Sequence, residues 1–242
     1  MKKILVLISG MLFLLTTVGL ANASLITIGT AQFGGSGAEY NLIWDNDNNG
    51  NSVVWLDYSI INYDNWQSRI DWADSLNSTL TYKIGIAYTV DWEANFWRLP
   101  TTVDGTAVWG YDGTTTAGYN ITNSEMGHLY YEELGNLGLM ATDGTWPQPG
   151  YGLSNIGGFE SLMADDYWSG TEYANGLGAA WAFDMSSGYQ SIPPKGNNGY
   201  GLALRTGQVS GAPVPEPGTM MLLGIGLLGL ADLGRRRKGL RV

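Results

Sequence analysis

The chain has 242 residues, no cysteine, one histidine and a formal net charge of −10. The missing cysteines exclude disulfides, a thiolate zinc site and a cysteine nucleophile, and one histidine leaves no His-rich metal site. Lys and Arg total only 12, which argues against nucleic-acid binding, because phosphate contacts need clustered cations, while ten Trp and 14 Tyr argue against a disordered chain.

The chain opens with Lys2 and Lys3, an apolar run from Ile4 to Leu20, and Ala21-Asn22-Ala23 before Ser24. A positive start, a short apolar stretch and a small-x-small site predict a signal peptide over residues 1–23, cut after Ala23. Residues 24–209 then read as one domain. Short apolar runs bounded by turn residues predict strands at Leu25–Ile28, Tyr40–Trp44 and Val53–Leu56.

Between the second and third runs lies Asp45-Asn46-Asp47-Asn48-Asn49-Gly50. Asp45, Asp47 and Asn49 stand at positions one, three and five of a calcium loop, with Gly50 at the sharp turn. Position twelve is Leu56 instead of Glu, and no flanking helix is evident. An Asn/Asp-rich hairpin tip is the favoured reading. Calcium is the one cofactor left open.

Trp66, Ile70, Ala73, Leu76 and Leu80 recur at helical spacing, with Asn62 and Asp64 as candidate caps. In Trp97-Arg98-Leu99-Pro100-Thr101, Trp97 and Leu99 alternate on one strand face, Arg98 takes the other, and Pro100 ends the strand. Val103 to Tyr119 reads as loops or a short hairpin. Thr122-Asn123-Ser124-Glu125 fits a capping box. Met126, Leu129, Tyr130, Leu134 and Leu137 form the face of a second helix that Gly138 can stop.

Gly144 to Gly158 is a loop, and strands follow at Tyr167–Ser169, Ala179–Met185 and Gly201–Leu204. Ser186-Ser187-Gly188 reads as a hairpin turn before Tyr189. Helices early and strands late predict an α+β fold. Trp168 and Trp181 are expected in its core. Arg98 and Arg205 are two of five basic residues in the body, and either suits a carboxylate partner.

No nucleophile signature accompanies His128, which reads as structural. The adjacent acids Glu132-Glu133 and Asp165-Asp166 read as solvated surface. The expectation is a protein that is not an enzyme. Exposed aromatics in the long loops, with Trp109, Tyr111, Trp146 and Tyr151 as candidates, suit stacking on sugar rings.

Pro213, Pro215 and Pro217 mark a linker over 210–218. Residues 219–233 are almost wholly apolar, and the tail 234–242 carries Arg235, Arg236, Arg237, Lys238 and Arg241. As a helix the apolar stretch rises only about 20 Å, a marginal span of a bilayer core of about 30 Å. The basic tail stays cytoplasmic, which places the body on the far side of the membrane. Between Ser24 and Gly218 the chain holds five basic and 21 acidic residues, a net charge of −16.

Val214-Pro215-Glu216-Pro217, the short apolar helix and the Arg cluster resemble the PEP-CTERM sorting signal of exopolysaccharide-producing Gram-negative bacteria. The resemblance implies recognition by an exosortase that cuts near Pro215-Glu216-Pro217. It also implies a transient stay in the inner membrane and delivery to the cell surface or extracellular matrix.

The body carries a second signature. Trp97-Arg98-Leu99-Pro100-Thr101, Tyr167-Trp168-Ser169-Gly170-Thr171, Trp181 and Ala203-Leu204-Arg205 resemble, in order, the Lcl C-terminal domain family. That family is similar to C-type-lectin-like and sulfatase-modifying-factor folds. The resemblance implies two helices on small twisted antiparallel sheets with long loops; the two terminal signals, the acidic body and this lectin-like resemblance together make exopolysaccharide or another glycan the expected partner. Without cysteine, the oxidative chemistry of the sulfatase-modifying relatives is not carried over.

Overall fold

The computed structural model describes residues 25–34, 37–58, 63–93 and 96–211. The signal-cleavage residues Ala21, Ala23 and Ser24, the sorting residues Pro215, Glu216, Pro217, Arg235, Arg236 and Arg237, and the predicted C-terminal hydrophobic helix lie outside the described residues.

The body is mostly β-sheet with two short helices, as an α+β fold requires. Strands β1 (Leu25–Phe33), β2 (Glu39–Asn48) and β3 (Asn51–Leu56) form a meander. Helix α1 (Trp66–Thr79) follows, then β4 (Leu80–Ile84) and β5 (Tyr88–Asp91). Two-residue strands β6 (Trp109–Gly110) and β7 (Ala117–Gly118) precede helix α2 (Glu125–His128), which widens into a π turn over Leu129–Glu133. The chain ends with β8 (Asp166–Glu172), β9 (Ala180–Asp184), β10 (Tyr189–Ser191), β11 (Ala203–Thr206) and β12 (Gln208–Gly211). Strands thus stand on both sides of the helices in sequence, instead of following them.

The first sheet has the order β11-β3-β2-β1-β4 and the second β6-β7-β10-β9-β8, while β12 pairs with β5 alone. Every pair is antiparallel except β6–β7, so Val103–Tyr119 contains no hairpin. Residues Val53 to Leu56 are all buried because the first sheet is covered on both faces. Val53 and Trp55 meet Met126, Leu129, Tyr130 and Phe183 on one side. Val54 and Leu56 meet Leu76 and Trp97 on the other. A third cluster joins α1 to the second sheet through Ala73, Leu99, Trp168, Ala180 and Ala182.

Several local expectations are corrected by these contacts. The cap of α1 is Asn65, whose side chain accepts from the Ser68 amide at 3.1 Å. Asp64 instead accepts from the Asn65 amide, and Asn62 lies outside the described residues. Leu80 leaves the helix to open β4. The cap of α2 is Ser124, not Thr122, because Ser124 Oγ accepts from the Gly127 amide at 3.1 Å. The α2 segment ends at Gly135 (φ +64°), not at Gly138, and Leu137 is exposed. Trp97 to Pro100 is not a strand, since it makes one antiparallel bridge, Arg98 to Leu204.

Candidate functional site

The Asp/Asn run is the β2–β3 hairpin tip. Asn48 pairs with Asn51, and Asn49 and Gly50 both have positive φ (52° and 81°), as a type I′ turn demands. Asp45 turns inward and is fully buried, accepting from Asn48 Nδ2 at 2.9 Å and Trp55 Nε1 at 3.1 Å. Asp47 stays at the surface and accepts from the Gly50 amide at 3.0 Å. Asn48 Nδ2 also reaches the Glu125 carbonyl at 3.1 Å, so the tip is tied to the start of α2. Among the described residues, no group of three or more His, Cys, Asp or Glu is placed to hold a metal ion.

The Trp-Arg-Leu-Pro-Thr segment acts as a clasp. Trp97 and Leu99 are buried, and Trp97 Nε1 donates to Tyr82 Oη at 2.7 Å. Arg98 forks onto Glu125, Nη1 to Oε2 at 2.6 Å and Nη2 to Oε1 at 2.7 Å. The same carboxylate accepts from the Thr101 amide and hydroxyl. With Ser124 as the cap, Glu125 is the first helical residue and not the third, so it completes no capping box. The Pro100 carbonyl accepts from the Gly170 amide, joining the segment to β8. Trp168 and Trp181 are buried, and Trp181 Nε1 donates to Asp104 at 2.9 Å. Arg205 lies over the Trp92 ring, 4.6 Å from its centroid.

His128 packs its Nε2 against Glu133 Oε1 at 3.4 Å. The Glu133 side chain is fully buried, which corrects its reading as solvated surface. The π turn is the cause: Leu134 N–H bonds back five residues to the Leu129 carbonyl, and this wider turn re-aims Glu133 inward. The Glu133 carboxylate raises the pKa of His128 above its ordinary value, with burial opposing and Asp45 and Glu132 assisting. Burial likewise raises the Asp45 pKa, partly offset by its donors Asn48 and Trp55.

Two further features of the described residues open to solvent bear on ligand binding. One is a cleft of about 300 Å³ between α1 and residues 96–101, lined by Asp71, Asp74, exposed Phe96 and Arg98 among others. Its two acids stand three residues apart on one helix and form one wall, whereas glycoside cleavage needs carboxylates flanking the bond.

The other is a group of rings at the β6 edge of the second sheet, with further exposed rings in the loops that follow. Trp109, Tyr111, Trp146 and Tyr151 are all exposed, between 44% and 65%. Trp109 lies nearly parallel to Tyr189, centroids 5.7 Å apart at 19°, and Tyr119 leans on Tyr189 at 4.8 Å. Asn120 Nδ2 donates to the carbonyls of Tyr111 (2.7 Å) and Met140 (2.8 Å), tying two loops together. A Cβ on Gly144 would stand 3.5 Å from the Tyr111 ring, which brings the loop bearing Trp146 beside Tyr111.

Tyr189 and Tyr119 escaped the sequence reading. Strand alternation could have found Tyr189, because its neighbour Gln190 is buried and successive side chains point to opposite faces.

A model of the PEP-CTERM protein-sorting motif matches residues 213–238. The motif supports an exported protein that is sorted by an exosortase through a membrane-anchored intermediate. No curated protein and no solved structure matches the chain.

Proposed function

We propose that the body is a non-enzymatic carbohydrate-binding domain of a cell-surface or extracellular-matrix protein, and that Trp109, Tyr111, Trp146 and Tyr189 form its sugar-stacking face. The observation that carries this reading is exposed Trp109 lying nearly parallel to half-buried Tyr189 at the sheet edge, with the Gly144 loop seated against the exposed Tyr111 ring. Isolated exposed aromatics are ordinary, but a contiguous set is a mark of an interaction site. Flat indole and phenol faces stack on the apolar faces of sugar rings, and neighbouring Asn and Asp groups can bond their hydroxyls. The ordered body motifs that resemble the Lcl C-terminal domain family, with its lectin-like fold, support the same proposal.

The test is binding of a glycan panel to the protein purified from cells that export it, with calcium and with chelator. Binding is expected, and a Trp109→Ala/Trp146→Ala variant should lose it while keeping its far-UV spectrum and melting temperature. An absence of binding under both conditions removes the carbohydrate reading. A body at −16 that binds no glycan then fits a solvating matrix protein, for which net charge alone supplies solubility. Binding only with calcium would assign a role to a bound ion, with Asp45, Asp47 and Asn49 as the residues to mutate first.

A further inference from the structure

The chain leaves the body toward its sorting motif from one corner of the fold. Strand β12 ends at Gly211, which stands in register with Tyr88 of β5. A Cβ on Gly211 would lie 2.9 Å from the Ala87 carbonyl oxygen. The β4–β5 turn, Gly85-Ile86-Ala87, is therefore beside the point of exit. The turn is held by two bonds, from the Tyr88 amide to the Gly85 carbonyl at 2.9 Å and from the Gly85 amide to the Ile28 carbonyl at 2.8 Å. Ile86 projects from it fully exposed, the most exposed large apolar side chain among the described residues. A hollow of about 310 Å³ joins Ile86 and Tyr88 to Ser210 and Gly211. A second, also of about 310 Å³, joins Ile86 to Thr30, Glu39 and Lys83.

The charge around this turn differs from that of the acidic body. Ser75 to Val90 contain one charged residue, Lys83. Its ammonium is 3.6 Å from Glu39, and its side chain is 79% exposed, so this surface pair holds it weakly. A projecting apolar side chain beside a free-reaching Lys suits the headgroup layer of a bilayer. The apolar group enters the layer, and the ammonium stays with the phosphates.

The tether decides which surface can reach lipid. The apolar run of the sorting motif begins at Thr219, eight residues after Gly211. Eight extended residues span at most about 29 Å, whereas a domain of this length is roughly 40 Å across. In the membrane-anchored intermediate that the motif supports, the exit corner is thus kept nearest the bilayer, and the opposite side of the body is kept away.

We propose that the β4–β5 turn rests on the bilayer while the chain is anchored, with Ile86 inserted in the headgroup layer of the leaflet that faces the body. The contact holds Pro215-Glu216-Pro217 at the lipid surface during sorting.

The experiment uses the full chain, purified from membranes of a strain lacking its exosortase and placed in vesicles of phosphatidylethanolamine and phosphatidylglycerol. The chain has no cysteine, so Ile86→Cys and Leu177→Cys each take one environment-sensitive dye at one position. Leu177 is the control, an apolar residue 79% exposed in the β8–β9 connection. Both labelled proteins should keep the wild-type melting temperature. The dye at position 86 is expected to shift to the blue and to be quenched by shallow spin-labelled lipid about twofold more than the dye at 177, because an inserted side chain sits about 5–10 Å into the interface. Equal quenching at the two positions, or none at 86, overturns the inference. Slower tail removal in Ile86→Asp without lipid quenching at 86 would assign the turn to the sorting enzyme, and overturns it as well.

Discussion

Arg98 and Glu125 meet through two parallel bonds, and the Glu125 side chain is only 8% exposed. Removing the cation leaves a buried carboxylate with just the Thr101 donors. Arg98→Ala is therefore expected to cost roughly 3 kcal/mol, read as a lower urea midpoint. Arg98→Lys should recover only part of this, because an ammonium cannot form the planar fork. An unchanged midpoint in Arg98→Ala would show that the pair is dispensable.

His128 gives a second prediction at this scale. Its folded pKa is raised by Glu133. Stability from protonated His128 is thus fully present below the unfolded value of about 6.5 and is lost as pH rises through the folded value. Thermal melts across this range should show stability falling with pH. In His128→Gln the slope should flatten. Identical slopes in the two proteins would deny the pair any energetic role.

At the scale of elements, sequence periodicity located α1 and most strands, because an amphipathic face or an apolar run is local information. It misread the ends of both helices. Asn65 and Ser124 had nearby rivals of equal capping chemistry, and the choice among them fell to tertiary contacts such as the Arg98–Glu125 pair. The π turn was illegible, since its register depends on what Tyr130 and Leu134 pack against.

Gly118 offers the sharpest test of an element. It has φ +113°, and a Cβ there would lie within bond-length range, 1.8 Å, of the Gly110 carbonyl oxygen. Gly118→Ala must therefore separate β6 from β7. We expect a loss of roughly 2–4 kcal/mol and weaker glycan binding, because Trp109 stands on β6. Wild-type affinity in this variant would place the sugar face elsewhere.

For the molecule as a whole, the charge of −10 divides into a body at −16 and basic ends. The PEP-CTERM match at 213–238 leads to a processing prediction. Mass spectrometry of the mature protein should find residues 219–242 gone, and a strain lacking its exosortase should retain the uncut chain in membranes. A mature protein that keeps residues 219–242 in the normal strain would contradict sorting by cleavage.

The sequence alone determined the address. A Pro-Glu-Pro motif, an apolar run and an Arg cluster act as a linear signal, so their order and spacing carry the information without a tertiary fold. It also determined which segments must be buried, through their apolar pattern. Only the tertiary structure decided which distant residues meet. Asp45 turns in beneath α2, Glu133 is buried against His128, and rings from residues 109, 119 and 189 meet at one edge of a sheet. The physical reason is that strand order and loop ties bring together residues tens of positions apart, and neither spacing nor composition records that pairing.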